Sequence, residues 1–278
     1  MTPLRTALYQ GPGGVPATTD TTLAALDGAA RRAAADGARL LVASELFLTG
    51  YALGDRLPDL AQDAAGPGAR AVARIAAEHR LAVAYGYPER HGSTLYNSVQ
   101  LIGPDGEPLA NYRKTHLYGD WERAWFTPGD QLVVQADLHG VRVGLLICYD
   151  VEFPETVRAH ALAGTGLLLV PTALMSPYEI VARSVLPVRA WENQLCLAYA
   201  NRHGPEGEFA FAGLSCLVAP DGTVRARAGT GEELLTADLD PTPAALAACR
   251  AANPYLTDRR PRLYRDHDHD LPQGEPNR

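Results

Sequence analysis

Short apolar runs alternate with helix-length stretches along this chain. Leu4–Gln10, Leu40–Ala43 and Leu81–Tyr87 are compact runs dominated by apolar residues, as strands buried in a sheet are. Between them, Thr19–Asp36 and Gly68–His79 read as helices, the first Ala-rich and with Thr19 or Asp20 placed to cap it. Leu95–Ile102 and Leu109–Tyr112 flank Gly103-Pro-Asp-Gly106, which predicts a hairpin because proline presets φ and glycine accepts a positive one. The alternation resumes with strands at Leu132–Asp137 and Val141–Ile147 and a helix after Pro154. A strand at Leu167–Val170, a helix around Glu179–Glu192 and a strand at Leu195–Asn201 follow. A second hairpin, Leu214–Ala219 with Val224–Ala228, turns at Pro220-Asp-Gly222. Strands joined partly by helices and partly by tight turns imply a mixed sheet in an α/β fold.

The pattern also repeats. Leu40-Leu-Val-Ala-Ser-Glu-Leu-Phe-Leu-Thr-Gly-Tyr51 aligns with Leu168-Leu-Val-Pro-Thr-Ala-Leu-Met-Ser-Pro-Tyr178 after one gap. Ala84-Tyr85 and the first Pro-Asp-Gly turn are echoed in the same order by Ala198-Tyr199 and the second. Two α-β-β halves related by pseudo-symmetry predict a four-layer α-β-β-α sandwich, with the site where the strand ends of both halves converge. Chance likeness among buried strands and Pro-Asp-Gly hairpins is the plainer alternative. No linker divides the chain, so residues 1–265 read as one domain. Residues 266–278 form a polar tail expected to be mobile.

Composition removes several classes. The chain has 278 residues, 46% of them hydrophobic and 21% charged, ample for a sizeable core. Its 25 Lys+Arg against 32 Asp+Glu give a net charge of −7, which argues against nucleic acid as a partner. No apolar run approaches the roughly 20 residues of a membrane span. The start, Met1-Thr-Pro-Leu-Arg-Thr, lacks the pattern of a signal peptide. Four cysteines without CxxC spacing suggest free thiols in a reducing cytoplasm.

Four positions could carry chemistry. Cys148 ends an apolar strand just before a helix opened by Pro154, where α/β proteins place nucleophiles, although a buried structural cysteine fits the strand as well. Glu45 follows a buried strand and is flanked by Leu46, Phe47 and Leu48, so desolvation would raise its pKa toward that of a general base. A helix cap or a salt bridge is its bland alternative. Lys114 ends a short strand, where a lone lysine is usually solvated, and Glu122 sits among Trp121, Trp125 and Phe126.

Together, Glu45 before Leu-Phe-Leu-Thr-Gly-Tyr, Lys114 in Tyr-Arg-Lys-Thr-His and Cys148 in Ile-Cys-Tyr-Asp-x-Glu-Phe-Pro-Glu resemble the nitrilase (carbon–nitrogen hydrolase) superfamily with its Glu–Lys–Cys triad. The resemblance runs from about Leu4 to about Tyr264. Within it, Ala7-Leu-Tyr-Gln-Gly11, Tyr85-Gly-Tyr-Pro-Glu-Arg90, Tyr96-Asn-Ser-Val-Gln-Leu101 and Pro254-Tyr-Leu-Thr-Asp258 are similar to stretches of 5-aminopentanamidases, and related R-stereoselective amidases share much of the pattern. The resemblance implies a thiol-dependent amidase acting through a Cys148 thioester, with Glu45 as base, Lys114 on the oxyanion and Glu122 orienting Lys114 or the substrate. It implies no metal and no cofactor, and subunits that pair through their helices as a homodimer or higher oligomer. Cys-Tyr-Asp in place of Cys-Trp-Glu favours amides over nitriles. Tyr51, Tyr149, Glu152, Thr172 and Met175 are the positions expected to meet the substrate. Relatives acting on carboxylate-bearing substrates carry an Arg where this chain has Glu152, so an acid there would favour ω-amino or neutral amides; a salt bridge at the helix start is its alternative. An N-carbamoyl amine hydrolase, or a non-catalytic binding protein that keeps the fold, are the competing functions.

Other signals carry less. Asp266-His-Asp-His-Asp270 has metal-binding residue types but no apolar frame. His116 reads as a structural hydrogen-bonder, Ser215 lies outside any Gly-x-Ser-x-Gly elbow, and Cys196, Cys216 and Cys249 read as core thiols.

Overall fold

The computed structural model describes residues 3–265, so the tail 266–278 and its Asp/His run lie outside the described residues. In chain order the elements are β1 (Leu4–Gln10), α1 (Thr19–Ala35), β2 (Leu40–Ala43), α2 (Leu57–Leu60), α3 (Pro67–His79), β3 (Ala82–His91), β4 (Thr94–Ile102) and β5 (Pro108–Arg113). Then come α4 (Gly119–Trp125), β6 (Val134–Leu138), β7 (Val141–Leu145), α5 (Pro154–Leu162), β8 (Leu167–Pro171), α6 (Leu186–Asn193) and β9 (Cys196–Ala200). The chain closes with β10 (His203–Glu206), β11 (Phe209–Ala212), β12 (Cys216–Val218), β13 (Val224–Arg227), β14 (Glu233–Leu239), α7 (Pro243–Ala252) and α8 (Pro261–Arg265).

Two six-stranded sheets result, in the orders β14-β1-β2-β3-β4-β5 and β6-β7-β8-β9-β12-β13. Read from those ends, both run antiparallel, parallel, parallel, antiparallel, antiparallel. The identity of order and sense gives the two pseudo-equivalent halves that the repeat predicted. The pairings refine the alignment: Val42 lies opposite Ala84 and Leu169 opposite Ala198, so Val42 matches Leu169, one residue from the motif alignment.

The layers follow from the period of two along each strand. Leu40 and Val42 face the other sheet, in one core with Val143, Leu145, Leu167 and Leu169. Leu41 and Ala43 face outward, onto Leu26, Ala29, Ala30 and Ala33 of α1 and Val72 and Ile75 of α3. Those α1 positions recur at helical spacing and bring alanine, the best helix former, to the buried side. Thr18, one residue before the predicted caps, caps α1: its backbone is extended and its hydroxyl accepts from Thr21 N at 3.2 Å. Both predicted hairpins form, with Gly106 and Gly222 at φ +87° and +77°.

Several elements differ from expectation. The helix around Glu179–Glu192 begins as a π turn at Val181–Val185 before α6, and the β10–β11 hairpin, α4, β14 and α7 had no clear pattern in the sequence. Cys196 and Cys216 are core thiols, but Cys249 is only half-buried on α7, a helix in which only Leu246 is fully buried. Among the described residues no helix is long and apolar enough to cross a membrane.

Candidate active site

The site assembles where β2, β5, β7 and β8 end. Glu45 follows β2 on a tight turn with Leu46 in the left-handed region (φ +46°), and the turn packs flat against β3. Gly86 makes that approach possible, because a Cβ there would come within 2.4 Å of Leu46 N. Across the sheet interface the Glu45 amide donates to the Thr172 carbonyl at the end of β8 (3.4 Å). Lys114 follows β5. Cys148 begins the single 3₁₀ turn between β7 and α5 at φ +46°, a conformation that a non-glycine residue adopts only where its surroundings enforce it.

Glu45, Lys114 and Glu122 are all buried. Lys114 Nζ donates to Glu45 Oε1 at 2.8 Å and to Glu122 Oε1 at 2.6 Å. Glu45 Oε1 also accepts from Asn97 Nδ2 at 2.7 Å, while Oε2 is buried without a partner among the described residues. Glu122 is held in turn by the Tyr51 hydroxyl (2.8 Å) and the Tyr118 amide (2.7 Å). Burial pushes the Glu45 carboxyl up to about 7 against the pull of Lys114. Burial also works against the Lys114 ammonium, but Glu122 and Glu45 outweigh it and hold the lysine above its ordinary range. Burial pushes the Cys148 thiol well up, Glu45 adds to the rise, and Lys114, the Thr172 hydroxyl and the Ala173 amide oppose it. The thiol thus stays protonated until a base takes its proton, and a buried carboxyl near neutrality suits that task.

Cys148 opens into a cavity of about 110 Å³ walled by Tyr118, Tyr149, Glu152, Met175 and Tyr178. Three expected substrate positions, Tyr149, Glu152 and Met175, are therefore on the wall. Tyr51 and Thr172 are not: Tyr51 is buried behind Glu122 and stacks on Trp121, and Thr172 lies beneath the thiol with Oγ1 3.1 Å from the Tyr199 hydroxyl. The Glu152 carboxylate forms no ion pair among the described residues, since Arg189 donates to its carbonyl oxygen instead (2.6 Å). Burial raises its pKa.

Three supporting groups were not read from the sequence. Asn97 lay inside a quoted stretch, but its contact with Glu45 exists only across strands. Asp150, buried, accepts from Thr115 Oγ1, His116 N and Nδ1, Tyr112 OH and Ile147 N at 2.8–3.1 Å, so it bolts the Lys114 segment to the Cys148 turn. Arg202, paired with Glu206 (2.5 Å), reaches the Glu45 carbonyl at 3.4 Å, and Glu206 accepts from Ala52 N at 2.8 Å. His116 is structural as expected, stacked on Phe153 and bonded to Asp150. Ser215 is equally structural, with its hydroxyl 2.7 Å from Gln10 Oε1.

The carbon–nitrogen hydrolase family model matches residues 5–248. A hydrolase of the pqqF 5′ region of Pseudomonas protegens is 47% identical over 234 residues, 84% of this chain and 81% of that protein. An (R)-stereoselective amidase of a Pseudomonas species is 40% identical over 224 residues, 80% of this chain and 79% of that one. An amidase from Nesterenkonia sp. superposes with a TM-score of 0.86 at 36% identity, over 96% of this chain and 97% of that one. In one mutant form of that amidase, acrylamide has added to the active-site cysteine.

Proposed function

This chain belongs to the carbon–nitrogen hydrolase family, and we propose that within it the chain is a thiol-dependent amidase of small linear carboxamides, with 5-aminopentanamide as the type of substrate. The observation that carries this reading is the buried Glu45–Lys114–Glu122 cluster beside Cys148, opening into a pocket walled by tyrosines and one carboxylate.

An amide is a poor electrophile with a poor leaving group, so it needs a nucleophile, an oxyanion stabiliser and a proton carrier. Glu45 Oε2 takes the thiol proton as Cys148 Sγ attacks the carbonyl carbon. Lys114 Nζ and the Tyr149 amide hold the oxyanion. As the tetrahedral intermediate collapses, Glu45 gives the proton to the departing nitrogen, and ammonia leaves behind a thioester. A water then attacks the thioester carbonyl, Glu45 takes its proton, and collapse expels the sulfur, which regains a proton as the acid departs. Glu122 keeps Lys114 charged and aimed. All of these steps use protein groups and water.

Glu152 and the rings of Tyr118, Tyr149 and Tyr178 support an ammonium at the far end of the substrate, since a carboxylate without an ion pair and aromatic faces both attract cations. Ammonia release from 5-aminopentanamide, pentanamide and glutaramate, with N-carbamoyl amines alongside, tests the reading. The wild type is expected to prefer them in that order, and Glu152→Arg to reverse it by roughly tenfold or more. Silence on every amide, or turnover of N-carbamoyl amines alone, overturns the proposal; an unchanged order in Glu152→Arg removes Glu152 from it.

The reading extends to a homodimer or higher homo-oligomer, supported by the exposed Leu162, Val188, Trp191 and Tyr255 around α5, α6 and the C-terminal segment, and checked by sedimentation. It extends also to a cytoplasmic setting, which suits four free cysteines.

A further inference from the structure

A carboxylate has two oxygens, and at Glu45 they are treated differently. Oε1 accepts two buried donors, Lys114 Nζ and Asn97 Nδ2, while Oε2 has none. The two donors are cross-strand neighbours. Lys114 N donates to the Asn97 carbonyl at 2.8 Å, which continues the β4–β5 register beyond the Ser98–Arg113 pair. On the other side Asn97 lies opposite Pro88 of β3, so both flanks of its backbone are fixed, and its side chain is fully buried. Because an ionised carboxylate only accepts, the amide must present its nitrogen to Glu45.

We propose that Asn97 is a positioning residue of the hydrolysis: with Lys114 it occupies Oε1 of Glu45, so that Oε2 alone carries the proton between the Cys148 sulfur, the leaving nitrogen and the attacking water. This rests on the amidase reading above. An oxygen that already accepts two hydrogen bonds is the weaker proton acceptor, and the bare oxygen is the stronger one. Without the Asn97 amide, Oε1 becomes a competing proton site. The other groups around Glu45 are Lys114 beyond β5, Glu122 of α4, Cys148 in the turn after β7, Tyr51 after β2 and Arg202 after β9. A change of the Asn97 side chain alters none of these groups chemically.

The test is the pH dependence of two rates in wild type, Asn97→Leu and the isosteric Asn97→Asp. One rate is kcat/KM on the best amide of the screen; the other is alkylation of Cys148 by iodoacetamide, which needs the same base but no substrate. The amide donor favours ionised Glu45, so its loss raises the pKa of that carboxyl, and the acid limb, expected near 7 in wild type, moves up. We expect a rise of roughly one pH unit in Asn97→Leu and more in Asn97→Asp, where a second carboxylate faces Glu45. We expect kcat to fall about tenfold with KM within about twofold. Losing a residue that merely fills space would leave the limb in place, so an unmoved limb in Asn97→Leu, or in the smaller Asn97→Ala if Asn97→Leu does not fold, overturns the inference, while Asn97→Asp shows the shift that a charge at this place produces. If the wild type hydrolyses no amide, the proposed function fails, while the alkylation profile still decides the role of Asn97.

Discussion

The β7–β8 pairing sets Leu145 beside Leu169 as the β1–β2 pairing sets Leu8 beside Val42, so Gly11 in the first half stands where Cys148 stands in the second. By the same count Glu45 occupies the place of Thr172, and Pro12 that of Tyr149. Each half also has a cavity there: about 60 Å³ lined by Gly11, Pro12, Ser44, Phe47 and Arg202, against about 110 Å³ at Cys148. The first is blocked for chemistry. A Cβ on Gly11 would come within 2.7 Å of the Phe47 ring, and the Arg202 guanidinium is spent on Glu206. The second is served from across the interface, since Glu45, Asn97, Lys114 and Glu122 all come from the first half. A duplicated fold offers two convergences of strand ends, and here one half brings its acids and its cation to the proposed nucleophile of the other.

The largest way to break that asymmetry is to remove the lent cation. Lys114→Ala leaves the second cavity without its charge on the oxyanion and leaves two buried carboxylates facing each other. Loss of one oxyanion donor typically costs 100- to 1,000-fold, and kcat/KM for ammonia release is expected to fall by about that much. A well-folded Lys114→Ala protein with near wild-type turnover would sink the mechanism.

How far this division could be read in advance depended on sequence distance. Glu45 and Cys148 each follow an apolar run and Lys114 follows a short mixed strand, all three inside local motifs, so the strand ends that meet here were legible together with the candidate residues on them. The pseudo-symmetric sheets were legible because Pro-Asp-Gly turns and Ala-Tyr pairs recur in order. Asn97 and Asp150 were not, because a lone polar residue in or after a strand shows nothing of the partner the sheet will bring to it. Tyr51 was legible as part of the site and misread as substrate-facing, because its hydroxyl turns inward to Glu122. The β10–β11 hairpin was missed because its buried residues, Glu206, Phe211 and Ala212, show no alternation long enough to mark strands. Yet Phe209 and Phe211 pack against Tyr51 and so support Glu122 from beneath.

Asp150 gives an intermediate effect, because it joins the halves without touching the reacting atoms. Its five hydrogen bonds tie Tyr112, Thr115 and His116 of the first half to Ile147 of the second. Asp150→Asn keeps the shape but turns one acceptor into a donor that faces other donors. An unsatisfied buried group costs about 1–3 kcal/mol, which at roughly 2–4 °C per kcal/mol lowers Tm by several degrees in a thermal melt. Misplacement of Lys114 relative to Cys148 is expected to lower kcat about 10- to 100-fold, with KM little changed. A lower Tm with unaltered kcat would show that the two halves hold their register without this bolt.

Thr172 gives the smallest effect and the sharpest comparison, because it is the counterpart of Glu45. Its hydroxyl, which donates to the Tyr199 hydroxyl, favours the Cys148 thiolate, against burial and the Glu45 charge, which both disfavour it. Thr172→Val preserves the branched shape and removes the donor, so the Cys148 pKa rises further and the thiolate fraction at fixed pH falls. One such interaction contributes about 1 kcal/mol, close to a fivefold change in rate, and Cys148 alkylation by iodoacetamide at neutral pH should slow by about that factor. The matching control is Pro12→Ala in the cavity of the first half, where the equivalent place holds no thiol to support. That substitution should leave alkylation and turnover unchanged. If Pro12→Ala slowed Cys148 as much as Thr172→Val did, the two cavities would be coupled, and the first would have to be counted as part of the working site.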